Sequence, residues 1–237
     1  MKQQEEYNIA FNKHNTTVWC LIFFVVGIII FLIPAFYLFD NLISNYNIFT
    51  FILFALSLSS GLIIHELLHG LGWVSFGKVH WKDLKFGILI SKGILFIHSI
   101  APLTMKSYRI GILLPGLILG FLIPLIGLLF AWPFLVFLGI FMFSVSAGDF
   151  IIFWKTRKVS NNTYIIDHPN KIGIESVESC EKMKRSMEDE MKDSDIKLLS
   201  LKSYLVKGFS YVILFSISFV ALYYLGYFVG YIVGNIL

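Results

Sequence analysis

The sequence predicts an all-α membrane protein with about five transmembrane helices, and it allows a short β-hairpin between spans two and three. Composition and charge placement carry this prediction. Of 237 residues, 57% are hydrophobic and 14% charged, with a mean hydropathy of +0.77, far from the balance of a soluble domain. The charges are also confined. Residues 15–39 contain no Asp, Glu, Lys or Arg, residues 41–77 only Glu66, residues 110–154 only Asp149, and nothing after Lys207 is charged.

A bilayer core about 30 Å thick takes roughly 20 helical residues, which places spans at 18–39, 49–73, 110–130, 133–154 and 209–236. The first lacks a small-residue cleavage pattern and is longer than a signal-peptide core, so it reads as a retained helix. Pro133 in Phe130-Ala131-Trp132-Pro133 marks a tight turn between spans three and four. The chain then divides into an N-terminal tail (1–17), a membrane core of four spans (18–154), a charged segment (155–208) and a C-terminal transmembrane helix (209–237).

Two connecting segments have patterns of their own. Between spans two and three, the apolar runs 86–90 and 94–97 flank Ser91-Lys92-Gly93, the pattern of a hairpin. A re-entrant loop competes, since each run is too short to span and periodicity does not separate the two. A hairpin there would offer an edge to an extended peptide. Residues 175–195 place Val177, Cys180, Met183, Met187 and Met191 near helical spacing, which predicts an amphipathic helix or a solvated helical connector.

Basic residues favour cytoplasmic loops. Here two precede span one, six lie between spans two and three, and eleven lie between spans four and five, all 19 on one side. The N-terminus is therefore expected in the cytoplasm and the C-terminus outside. The net charge of +4 reflects this topology and calls for no nucleic-acid partner. Cys20 and Cys180 show no paired spacing and read as free thiols.

Within span two stands His65-Glu66-Leu67-Leu68-His69. Ionisable groups are costly inside a bilayer and usually functional. The histidines, four residues apart, share one helical face and can hold one ion, while Glu66 is placed beside it as a proton acceptor. Zinc suits this donor set, and a catalytic zinc needs a third protein ligand. Asp149 is the candidate, being the other carboxylate within the spans. Taking Trp73 and Trp154 as markers of one membrane interface puts His69 and Asp149 at matching depth, roughly 6 to 8 Å inside it. Ser57, Gly61, Gly139 and Ser146 on the same helical stripes would let the helices approach. The plain alternative makes Asp149 a structural hydrogen-bonding residue. His80 and His98 lie in the connection after span two and read as polar loop residues more readily than ligands. His14 belongs to the tail, and His168 to the Asp167-His168-Pro169 turn.

His65 to Gly70 at the end of a membrane helix, Gly77-Lys78-Val79-His80, Ser146-Ala147-Gly148-Asp149 and Asp167-His168-Pro169 together resemble the family of bacterial membrane proteins described as putative zincin peptidase, over roughly residues 50–175. More distantly the arrangement is similar to site-2 intramembrane metalloproteases. The resemblance implies a zinc metallopeptidase of the bacterial cell membrane, with His65, His69 and Asp149 as ligands and Glu66 as general base. Its substrate would be a protein in or near the membrane. The chain departs from the site-2 form, in which Gly follows the ligand Asp: here Gly148 precedes Asp149 and Phe150 follows. It also has no recognisable PDZ-like domain. The reading from another class is a non-catalytic metal-binding membrane protein, such as a transporter or regulatory subunit.

Overall fold

A computed structural model of the chain describes residues 8–10, 13–39, 47–89, 94–167, 173–176, 196–199 and the single positions 203, 206, 207 and 210. Nearly all of the expected fifth span, Ser91-Lys92-Gly93, His168, Cys180 and most of the expected helix at 175–195 lie outside the described residues.

The described charge-free runs become helices, and their prolines decide where those helices loosen. After strand β1 (Asn8–Ala10), α1 (Lys13–Gly27) passes through a π-helical stretch, Ile28–Leu32, into α2 (Ile33–Leu38). Helix thus begins within the expected N-terminal tail. Pro34 has no N–H to give the preceding turn, and the wider winding ahead of it absorbs the missing bond. The next helix, α3 (Ile48–Gly77), has 30 residues, about 45 Å of length. The Asn47 side chain caps it by accepting from the Thr50 amide at 3.0 Å. Lys78, at φ 56°, ends it in a left-handed turn.

A short turn leads into β2 (Leu84–Leu89) and β3 (Ile94–Ser99), which pair antiparallel with Phe86 opposite Ile97 and Gly87 opposite Phe96. The hairpin, rather than the re-entrant loop, is therefore the structure. Its seat on α3 leaves little room at Gly70, where a Cβ would lie 2.6 Å from Ile97 Cδ1. Strand β4 (Leu103–Thr104) opens α4 (Met105–Pro115), which continues through a π-helical stretch, Gly116–Leu122, into α5 (Ile123–Leu129). The turn at Ala131, φ 51°, closes with Trp132 N–H donating to the Gly127 carbonyl at 2.7 Å. Pro133 then starts α6 (Pro133–Val145), as its fixed φ allows. A 45° bend separates α6 from α7 (Ala147–Thr156).

Strands β5 (Tyr164–Asp167), β6 (Gly173–Ser176) and β7 (Ile196–Leu199) complete two small sheets, ordered β1-β6-β5-β4 and β3-β2-β7. Glu175 and Ser176 are thus strand, where the sequence spacing predicted the start of a helix. By length and composition three described helices can cross a membrane: Thr17–Leu38, Ile48–Gly77 and Met105–Leu129. A fourth is added if the bent α6–α7 pair counts as one span. Large apolar side chains such as Leu129, Phe130 and Leu21 point outward from these helices, as a bilayer-facing surface would.

The principal core joins α3, α4, α7 and the hairpin through Ile63, Trp73, Phe86, Ile97, Tyr108 and Ile152. The crossing of α3 and α4 is a close backbone-to-backbone contact. A Cβ on Gly72 would sit 2.6 Å from Gly111 Cα, so only two glycines let the backbones meet there. Gly61 likewise admits Met142 of α6. Gly139 instead admits Pro124 of α5, not the α3 approach expected from its stripe.

Candidate metal centre

The four-residue spacing on α3 brings the rings of His65 and His69 to 4.9 Å, nearly perpendicular at 87°. Both are buried. Glu66 lies beside them, so that one ligand-capable atom from each of the three falls within 4.8 Å of the others.

The bend after α6 supplies the remaining carboxylate. Ser146 Oγ donates to the Met142 carbonyl at 3.0 Å, and the Ser146 amide to the same oxygen at 3.1 Å. This hydroxyl back-bond is of a kind that bends helices. Asp149, one residue past Gly148 in the first turn of α7, then faces α3. Its Oδ2 lies 3.1 Å from His65 Nε2 and its Oδ1 3.6 Å from His69 Nε2. At the other end of α7, Arg109 of α4 donates to the Thr156 carbonyl, to the Val159 carbonyl at 2.9 Å and to Asn161 Oδ1 at 2.6 Å. Both ends of α7 are thus fixed.

Two further contacts have no sequence signature at the level of pattern. His69 Nδ1 lies 3.0 Å from the Gly111 carbonyl. A carbonyl only accepts, so Nδ1 carries the proton and, in the neutral ring, Nε2 presents its lone pair toward Asp149. Glu66 Oε2 accepts from the Ile97 amide of β3 at 3.2 Å, which ties the hairpin edge to the site. Paired with β2 on its other side, β3 is the outer strand of its sheet among the described residues.

Trp73 corrects the depth argument. It is buried and stacks between His69, at 5.8 Å, and Tyr108, at 5.9 Å; it is no interface marker. Trp154 is exposed, with Arg157 4.2 Å above its ring. His69 and Asp149 meet because α7 is turned back toward α3, not because two tryptophans share a belt.

The donor set fits a zinc ion. Tetrahedral ligands about 2.0 to 2.2 Å from one ion lie roughly 3.3 to 3.6 Å from each other, and the distances of His65 to Asp149 Oδ2, 3.1 Å, and of His69 to Asp149 Oδ1, 3.6 Å, lie close to that range. Among the described residues Asp149 Oδ2, buried and close to His65, still makes no hydrogen bond. A buried carboxylate oxygen left so is costly unless a cation meets it. His80 stands apart, its amide donating to Asp83 Oδ2 at 3.3 Å in a short 3₁₀ turn. His98, on β3, contacts Phe96. Neither joins the His65, Glu66 and His69 group among the described residues.

Residues 58–164 match the family model described as "Putative zincin peptidase", a stretch that includes His65, Glu66, His69, Asp149 and the hairpin. No curated protein and no solved structure matches the chain.

Proposed function

We propose that this zincin-peptidase segment makes the chain a membrane-embedded zinc metallopeptidase, cutting membrane or membrane-proximal proteins near the cytoplasmic face. The observation that carries the reading is the meeting of His65 and His69 with Asp149 from another helix, with Glu66 alongside. His65, His69 and Asp149 would hold the zinc. Glu66 is kept as the base, because zinc held by three protein ligands retains an open position for chemistry. Zinc bound there would supply Lewis acidity toward a water molecule and the scissile carbonyl.

Glu66 accepts the proton of the attacking water as its oxygen bonds to the carbonyl carbon. As the C–N bond breaks, Glu66 returns that proton to the departing amine. The Gly111 carbonyl keeps His69 in one tautomer throughout. The outer edge of β3, whose Ile97 amide already reaches Glu66, would hold an extended segment of substrate beside these groups. The distribution of Lys and Arg supports an N-terminus in the cytoplasm and a C-terminus outside, which sets the site near the cytoplasmic face.

The deciding experiment is Glu66→Gln. The amide keeps the shape and leaves His65, His69 and Asp149 in place, yet it cannot accept the proton. Purified Glu66→Gln should retain about one zinc per chain and lose cleavage of co-expressed membrane substrates by several orders of magnitude. Equal function of this variant in cells would instead favour a non-catalytic metal-binding protein.

A further inference from the structure

We infer that Pro115 is a positioning residue for the metal centre, acting on His69 through the Gly111 carbonyl; the inference rests on the metal site proposed above. In an α-helix the carbonyl of residue 111 accepts from the amide of residue 115. Position 115 is proline, which has no N–H and whose ring crowds the carbonyl four residues earlier. The following amide does not take its place, because Gly116 N–H bonds to the Leu113 carbonyl. Without an amide at 115 the Gly111 oxygen has room for a partner outside its own helix, and His69 Nδ1 lies 3.0 Å from it.

The surrounding residues serve the same contact. Gly72 and Gly111 let α3 and α4 touch backbone to backbone, the separation at which a side chain on α3 can reach a main-chain oxygen of α4. A Cβ at Gly111 would also lie 2.3 Å from the Trp73 ring that stacks on His69. Among the described residues His65 has no matching anchor, since its buried Nδ1 finds no hydrogen-bond partner there. Orientation of the imidazole pair therefore depends on His69, and through it on a missing amide at position 115. A histidine ligand whose second nitrogen is held in this way is a stronger, better-oriented donor. Pro124, equally buried in the same span, acts differently, its ring filling the space opposite Gly139.

Pro115→Ala and Pro115→Val both restore an amide at 115, and Val nearly keeps the buried volume. Pro124→Ala is the packing control. Zinc affinity of each full-length purified protein is read by competition with a chromophoric chelator. Both Pro115 variants should bind about tenfold to a hundredfold more weakly than wild type, and Pro124→Ala should bind as wild type does. Wild-type affinity in Pro115→Val overturns the inference even if Pro115→Ala is weakened, because a cavity then accounts for the loss. A second readout needs no metal. In zinc-free protein labelled with 15N-histidine, the His69 resonance, identified by its loss in His69→Gln, should report one Nδ1–H tautomer in wild type and a mixture in both Pro115 variants. An unchanged tautomer in Pro115→Val overturns the inference whatever the zinc result, whereas a wild type with no zinc affinity overturns the function proposed above.

Discussion

Substituting Gly72 by Ala should damage the metal centre without touching any residue that could hold a metal. The added methyl would start 2.6 Å from Gly111 Cα, about 1 Å inside ordinary carbon–carbon contact. Its neighbour is backbone, so no side chain can swing away and α3 and α4 must part by a comparable distance. Overpacking of this kind costs about 1 to 3 kcal/mol. The same 1 Å would stretch the bond from His69 to the Gly111 carbonyl, now 3.0 Å, beyond hydrogen-bond reach, for about 1 kcal/mol more. The expected total is about 2 to 4 kcal/mol of stability, with zinc affinity falling as His69 loses its anchor. Reversible denaturant unfolding of the zinc-free protein in mixed micelles measures the first, and chelator competition the second. Gly148→Ala is the contrast: it lies beside Asp149, but among the described residues a Cβ there meets nothing within 4 Å, so it should be neutral or slightly stabilising. Wild-type stability and zinc affinity in Gly72→Ala would refute the close crossing as the support of the site.

Zinc should be lost from His65→Ala, His69→Ala and Asp149→Ala alike, since removing one of three ligands leaves an incomplete site; full occupancy in Asp149→Ala would move the third ligand to Glu66. A reporter fused after Leu237 should read external and one inserted near Lys192 cytoplasmic, and the reverse pair would invert the orientation. Arg109→Lys cannot reproduce the forked donation to the Thr156 and Val159 carbonyls and Asn161. It should therefore loosen the end of α7 and cost about 1 to 3 kcal/mol, read in the same unfolding assay.

The parts of the fold legible in the sequence are those governed by one-dimensional rules. Charge-free stretches became the long helices because burying an unpaired charge is expensive, and Pro133 marked a turn because its ring fixes φ. The apolar runs around 91–93 became a hairpin once Gly87 made room for the Phe96 ring, which a Cβ would meet at 2.1 Å. Helix limits were less legible. Spans two and three extend past the predicted ends, to Gly77 and back to Met105, because a helix continues wherever its backbone is satisfied, not only where it is apolar. The strand at Gly173–Ser176 carries no strong alternation and depends on its partners β1 and β5, which are set by tertiary pairing rather than by local pattern.

The four candidate side chains of the site were readable because histidine and carboxylate in an apolar span are rare and chemically specific. What holds them was not readable, and the reason is physical. Gly72, Gly111 and Pro115 carry no chemistry of their own; each acts by lacking something, a Cβ at two positions and an amide at the third. Sequence pattern treats glycine and proline in membrane helices as tolerated, since neighbouring groups re-satisfy the freed backbone. At Gly111 the neighbouring group is the imidazole of a candidate ligand. A proline four residues after a glycine at a helix crossing is therefore a useful signal once an opposite helix offers a histidine. It says which carbonyl is free, and from that which ring nitrogen is left to meet a metal.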